Sequence, residues 1–283
     1  MNGHQRGMAL ISVLLVLSLA LLLTGGLLRS HHLSLQSSGQ QLQQIHLRQL
    51  ASGGESWALL LLRDALQSTE KPVERIQGWA AMAPGFEVEE AQIRIDIDDL
   101  AGRFNLNALL RQGQVDQVTL NRWARLLELL ELPPVQLSQV GPLRELSQLR
   151  LLPGIDARLL QRLEPWVALL PTDVTLNINT APALVLRTLG EVDAATADAL
   201  ALQAATTPWA SVQAFTQDPL LSGQGLSSHG LGTHSRWYRI GVQVIRDGRR
   251  LHLATDVGYD PKTQQLTVLQ RRFLPTSSHE RPR

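Results

Sequence analysis

Residues 8–28, MALISVLLVLSLALLLTGGLL, form an uncharged apolar run between Arg6 and Arg29. As a helix rising 1.5 Å per residue the run is about 31 Å long, the thickness of a bilayer's hydrocarbon core. No small-residue cleavage pattern follows it, because the chain continues Arg29-Ser30-His31-His32. The run therefore predicts a retained membrane helix rather than a secretory signal. Arg6 and the α-amine on one side balance Arg29 on the other, so flanking charge does not decide its orientation. Helical spacing then persists. Leu35, Leu42, Ile45, Leu47 and Leu50 recur among glutamine and serine, and Trp57, Leu62 and Leu66 follow the Gly53-Gly54 interruption. This predicts an amphipathic continuation to about Leu66 that packs on a soluble domain.

Further on the period changes from helical to alternating. Ile93, Ile95 and Ile97 share one face of a half-buried strand that begins at Gln92. Residues 237–245 alternate in the same way, Asp247-Gly248 is a hairpin turn, and residues 251–257 and 266–273 supply two more strands. The block between these strands has helical spacing over residues 121–132, 157–170 and 193–205, punctuated by Pro133-Pro134, Pro153-Gly154 and Pro171. Asn177-Ile178-Asn179-Thr180-Ala181-Pro182 offers a capping residue and an early proline for a helix running towards Leu189. Residues 223–232 read as a flexible glycine-serine loop back to the sheet. The predicted class is α+β: a long N-terminal transmembrane helix, packed further along on a short antiparallel sheet, with a large all-helical insertion between strands.

Composition removes most chemistry. The chain of 283 residues has 26 basic and 25 acidic side chains, a formal net charge of +1. That gives no electrostatic case for nucleic-acid binding. The absence of cysteine removes disulfides, thiol nucleophiles, Fe–S clusters and cysteine-based zinc sites. Neither Lys71 nor Lys262 follows a glycine, so there is no phosphate-binding loop of the Gly-Lys kind. No nucleophile elbow or catalytic triad pattern is present, and no catalytic residue is assigned. The expectation is a protein that is not an enzyme.

Gln5-Arg6-Gly7 followed by Met8-Ala9-Leu10-Ile11 resembles the processing site of type IV pilin-like proteins. The resemblance implies cleavage by a prepilin peptidase between Gly7 and Met8, and methylation of the new amino terminus at Met8. Most pilin-like subunits carry glutamate as the fifth residue after the cut, where this chain has Ser12. A carboxylate in an apolar fibre core needs a partner, by resemblance the amine of a neighbouring subunit. A subunit with Ser12 cannot make that pairing to a subunit above it, which suits the top position of a fibre.

Three further motifs stand in order. Leu100-Ala101-Gly102-Arg103-Phe104-Asn105-Leu106-Asn107 follows the first strand, Leu143-Arg144-Glu145-Leu146 precedes Leu152-Pro153-Gly154-Ile155, and Leu176-Asn177-Ile178-Asn179-Thr180-Ala181-Pro182 comes third. With the leader, Ser12 and the split sheet, this order resembles the K-class minor pseudopilins of the bacterial type II secretion system. The resemblance implies a pseudopilus-tip subunit supporting protein export across the outer membrane. It implies a single-pass protein of the bacterial inner membrane with its C-terminal domain in the periplasm. The implied partners are other minor pseudopilins, the major pseudopilin and the inner-membrane secretion machinery, with secreted cargo as a further candidate. No cofactor is required, and calcium is a candidate ligand by resemblance. The implied organisation is a leader at 1–7, a transmembrane helix at 8–30, and a pilin-like helix with first strands at 31–99. A helical insertion at 100–222, C-terminal strands at 223–275 and a polar tail at 276–283 complete it.

Residues 152–156 and 189–193 each lie between helical stretches and resemble helix-hairpin-helix turns, so the rival reading is a membrane-anchored DNA-uptake protein. Asp156, Glu191 and Asp193 stand where a phosphate would have to sit, which argues against it. The Asn105/Asn107 and Asn177/Asn179 pairs read as helix caps. Asp96 and Asp98 fall on the solvent face of their strand. The six tryptophans, Trp57, Trp79, Trp123, Trp166, Trp209 and Trp237, are spread along the chain and read as packing residues.

Overall fold

Alternation dictates the centre of the fold. The computed structural model describes residues 4–67, 85–88, 90–111, 114–135, 137 and 142–274. The side chains of Gly7, Met8 and Ser12, with Trp79, Lys71 and the tail 276–283, lie outside the described residues. The chain begins with α1 (His4–Gln67), β1 (Phe86–Val88) and β2 (Ala91–Asp99). It divides into two units, Met1–Leu50 and Ala51–Arg283. In the first unit α1 exposes the described side chains of residues 13–26. Among the described residues no helix is long and apolar enough to cross a membrane, and the expected span 8–30 lies partly outside them.

In the second unit, Ile93, Ile95 and Ile97 of β2 are buried on one face. The expected strands after the insertion fall near their predicted bounds. Among the described residues the strands and α-helices continue through β3 (Phe104–Asn105), β4 (Leu110–Arg111), β5 (Gln114–Val115), α2 (Gln117–Leu129), α3 (Ala157–Leu163), β6 (Val167–Ala168) and β7 (Leu176–Asn177). Then come α4 (Ala183–Leu186), α5 (Ala194–Thr206), α6 (Val212–Thr216), β8 (Leu231–Gly232), β9 (Trp237–Arg246), β10 (Arg249–Asp260) and β11 (Gln265–Leu274). The sheet order is β1-β2-β9-β10-β11, antiparallel throughout, so strands from either side of the insertion become neighbours. Ile93, Ile95 and Ile97 stand opposite Val244, Val242 and Ile240. Asp247 and Gly248, at φ 49° and 72°, make the two-residue turn that their sequence predicts.

Residues 51–67 of α1 lie across this apolar face through Ala51, Gly54, Ala58, Leu62 and Ala65, all buried. Small residues set the distance. A Cβ on Gly54 would stand 2.9 Å from Val242 Cγ1 and 3.2 Å from Ile93 Cγ2.

The insertion departs from its all-helical expectation. It is built twice on one plan, and each half closes with a short parallel strand pair. Phe104 and Asn105 of β3 pair with Val167 and Ala168 of β6, while Leu176 and Asn177 of β7 pair with Leu231 and Gly232 of β8. Parallel strands need a crossover, and helices supply it in both halves. One apolar cluster gathers Trp123, Leu126, Leu149 and Leu163, the other Val185, Leu200, Trp209 and Phe215.

Three local expectations change. The helix predicted over residues 157–170 stops at Leu163, because Pro165 has no amide hydrogen to continue the helical ladder and its ring crowds the preceding turn. The chain beyond is extended and pairs with β3. The helix predicted at 121–132 starts earlier, at Gln117, because Asp116 caps it by accepting the Thr119 amide at 3.0 Å. The loop at 223–232 is pinned rather than loose. Buried Arg122 donates to the Ser227 carbonyl at 3.0 Å and the His229 carbonyl at 2.7 Å. Since β8 closes the second half of the insertion, the C-terminal strands begin at Trp237.

Candidate assembly interface

The helix that lies on the sheet has a second, uncovered side. Ser52, Gly53, Ser56, Trp57, Leu60, Arg63 and Asp64 are exposed, with Trp57 at 43% and Leu60 at 55%. Gly53 has open space around it. Small residues beside two large apolar ones suit the approach of another helix. This side is held firmly from behind. Glu55, buried against the sheet, accepts from Arg271 Nε of β11 at 2.7 Å, and the Trp57 ring meets Phe86 of β1 edge-on at 5.2 Å. Backbone atoms of Gly7, Met8 and Ser12 belong to α1, but the processing and pairing chemistry expected of them lies outside the described side chains.

The junction between sheet and insertion is polar and centres on Asp99, the last residue of β2. Its Oδ1 accepts the Ala101 amide at 2.8 Å, and its Oδ2 accepts Asn177 Nδ2 and Thr180 Oγ1, each at 2.7 Å. Burial pushes its carboxyl above the usual carboxylate range, opposed by hydrogen bonds from Ser235, Thr180, Asn177 and the Ala101 amide. Burial also raises the Tyr238 phenol, and the nearby Asp99 charge adds to that rise. Gly102 fits tightly here, since a Cβ would stand 2.6 Å from the Thr180 carbonyl oxygen. Arg103 completes the joint by donating to Asp98 Oδ2 and to the Glu164 carbonyl, both at 3.1 Å. Asp96 and Asp98 are thus half-buried, not on the solvated face expected of them, because the insertion covers this end of the strand.

The asparagine pairs cap, as expected, and they also stitch. Asn105 Oδ1 accepts the Asn107 amide at 3.1 Å, and Asn177 Oδ1 accepts the Asn179 amide at the same distance. The second asparagine of each pair then binds a distant peptide unit through both ends of its amide. Asn107 accepts from Leu143 N at 2.7 Å and donates to Leu143 O at 2.9 Å. Asn179 accepts from Trp209 N at 2.8 Å and donates to Trp209 O at 3.0 Å. Each side chain imitates one rung of a strand ladder. Two of the ordered sequence motifs are therefore the ends of one clamp, with Asn107 in the first holding Leu143 in the second, while Asn179 in the third holds Trp209 outside the motifs.

Each helix-hairpin-helix-like turn ends in an aspartate that already holds a backbone amide of the next helix. Asp156 accepts the Leu159 amide at 2.8 Å and Asp193 accepts the Thr196 amide at 2.9 Å. Each carboxylate takes one helix-start amide and sets a negative charge where a nucleic-acid phosphate would have to sit. The acidic cluster at 96–99 does not fit a calcium ion either, since Asp98 faces an arginine and Asp99 faces hydrogen-bond donors. Among the described residues no three His, Cys, Asp or Glu side chains are placed to hold a metal ion.

Asp99, Glu55 and Arg122 are the residues that sequence reasoning passed over. Only Asp99 had a signal, as a polar residue at the buried end of an apolar alternation.

Comparison with known proteins supplies the family. The profile of type II secretion system (T2SS), protein K, matches residues 176–233, the second asparagine motif and the helices after it. The chain is 30% identical to type II secretion system protein K of Pseudomonas aeruginosa, over 88% of this chain and 87% of that one. It is 29% identical to the protein K of Klebsiella pneumoniae, over 96% and 98% of the two chains. Among solved structures it resembles a chain of the GspK-GspI-GspJ complex from the enterotoxigenic Escherichia coli type 2 secretion system. That likeness has a TM-score of 0.67 at 22% identity, covers 85% of this chain and 99% of that one, and extends to the fold.

Proposed function

We infer, because the chain belongs to the type II secretion system protein K family and is a minor pseudopilin of that system, that it stands at the tip of the periplasmic pseudopilus. The observation that carries this reading is the insertion at residues 100–236, joined rigidly to the sheet through Asp99 and Arg103. A head enlarged in this way leaves no room for a further subunit stacked on it. Other minor pseudopilins, of the kind that share the solved complex with its structural relative, pack against the exposed side of α1 around Trp57 and Leu60. The role is mechanical and not enzymatic: the subunit starts and caps the fibre and so supports protein export across the outer membrane.

The rest of the proposal concerns the N-terminus. The chain is anchored once in the inner membrane by residues 8–30, with its C-terminal domain in the periplasm. Prepilin peptidase cleaves between Gly7 and Met8, and Met8 is methylated. Ser12 leaves the fifth position without a carboxylate, which a subunit with nothing above it does not need. Major pseudopilin and the inner-membrane machinery are its further partners, and no cofactor enters the role.

Purification of the full chain from its native membrane together with the other minor pseudopilins tests this reading. The expected result is a stable complex in which this chain has lost residues 1–7 and gained one methyl group by intact mass. A chain that retains its leader and purifies alone would refute it.

A further inference from the structure

Gly53 and Gly54 lie inside α1, where a glycine weakens a helix because its backbone loses the most freedom on folding. Gly54 has a reason within the chain, since a Cβ there would press on Val242 and Ile93. Gly53 has none. It is helical without the positive φ that calls for glycine, it lies on the open side, and a Cβ there would meet nothing within 4 Å. The fold bears the cost of this glycine and gains no contact from it.

Gly53, Ser56, Trp57 and Leu60 stand at positions i, i+3, i+4 and i+7, the four corners of a diamond on the helix surface. Neighbouring corners of such a diamond have Cβ atoms about 5–6 Å apart. All four residues are exposed. Two corners are low, because Gly53 has no side chain and Ser56 turns its hydroxyl back onto the Ser52 carbonyl at 2.9 Å. Two are high and apolar, and the Trp57 ring is braced from the side by Phe86. No corner is charged, and Arg63 and Asp64 bound the patch as a polar rim. The four together make an open hole.

We propose that this hole receives one large apolar side chain from a helix of another minor pseudopilin, and that the missing side chain at Gly53 lets the partner's backbone come close. The proposal rests on the reading that such a subunit packs on this side of α1. Helices that pack closely seat a knob of one in a four-cornered hole of the other, and the low corners at 53 and 56 give this hole its depth. A charged knob finds no counter-charge at any corner. A flat polar surface would leave the hole empty and keep Trp57 and Leu60 in water.

The test uses the full chain in detergent and the purified, fluorescently labelled minor pseudopilins of the same secretion system, with binding followed by anisotropy. Gly53→Leu fills the hole and should weaken binding at least about tenfold, while Gly53→Ala adds one methyl group and should weaken it about threefold. Both should raise the melting temperature of the unbound chain by about 2–4 °C, because the helix loses a glycine. Ser56→Leu, which fills the neighbouring low corner, should weaken binding as Gly53→Leu does. A lower melting temperature in either Gly53 variant means that the fold itself needs this glycine, and overturns the proposal. Self-association of the chain alone that Gly53→Leu abolishes also overturns it. Leu60→Asp separates the two levels of the argument. If it abolishes binding while Gly53→Leu binds as the native chain does, the interface stands and the hole is overturned. If both variants bind fully, the interface lies elsewhere and the underlying reading falls as well.

Discussion

Asp99 and Asn177, 78 positions apart in the chain, meet at 2.7 Å where the sheet joins the insertion. One carboxylate gathers an amide side chain, a hydroxyl and a backbone amide from two elements. The head therefore hangs from the sheet through a directional polar joint rather than an apolar seam alone. Asp99→Ala strands all three donors in a buried place and should destabilise the protein by about 2–4 kcal/mol in urea unfolding. Asp99→Asn should cost less, because its oxygen can still accept from one or two of them.

The same joint sets a pH dependence. The folded Asp99 carboxyl is raised, chiefly by burial, so its contribution is most favourable below the unfolded value of about 3.9 and is lost as pH rises through the folded value. Stability of the native protein relative to Asp99→Asn should thus increase as pH falls from 7 towards 4. Asp116 runs the other way. Its burial is outweighed by hydrogen bonds from the Thr119 amide and from His229, which hold its carboxyl low. Its contribution is present above the unfolded value and lost as pH falls through the folded one. Urea titrations should therefore show slopes of opposite sign in two windows, between pH 7 and 4 for the native protein against Asp99→Asn, and below about pH 4 for the native protein against Asp116→Asn.

Glu55 is buried under α1, and Arg271 is its hydrogen-bonded cation. Arg271→Ala leaves that carboxylate without its cation and should cost about 1–3 kcal/mol, moderated because Arg271 itself is half exposed. Glu55→Gln, which removes the charge and keeps the shape, should cost less. The reverse order in thermal unfolding would contradict a charge buried at this seam.

Gly54 and Leu60 separate folding from assembly. Gly54→Val drives a side chain into Val242 and Ile93 and should lower stability by about 1–3 kcal/mol. Leu60→Asp, on the open side of the helix, should change stability by less than about 0.5 kcal/mol. It should nevertheless abolish co-purification with the other minor pseudopilins. Retained co-purification would move the interface elsewhere.

At the N-terminus, Gly7→Ala should leave the leader attached, read as an intact mass that keeps residues 1–7. Ser12→Glu should fold normally and appear along the fibre as well as at its end. A tip-only distribution would remove the role given to Ser12.

Much of the architecture was legible because its causes are local. Ile93, Ile95 and Ile97 alternate, so a half-buried strand follows. Asp247-Gly248 tolerates positive φ, so a tight hairpin follows. The stop at Leu163 was also written in the chain, at Pro165, but the helical spacing that continues to Leu170 masked it. Asn105 and Asn177 were legible as caps because each binds an amide two residues away.

Their neighbours were not. Asn107 finds Leu143 and Asn179 finds Trp209 only after the helices between them have packed, and the Gly-Ser loop is fixed only when Arg122 is buried beside it. The sequence by itself determined the long strands, the hairpin, the caps and the order of motifs that marks the family, since periodicity and capping act within one or two turns. The tertiary structure decided which polar groups would be clamped and which would be buried with a shifted charge. Those outcomes depend on partners brought from tens of residues away, and no local pattern encodes the distance between them.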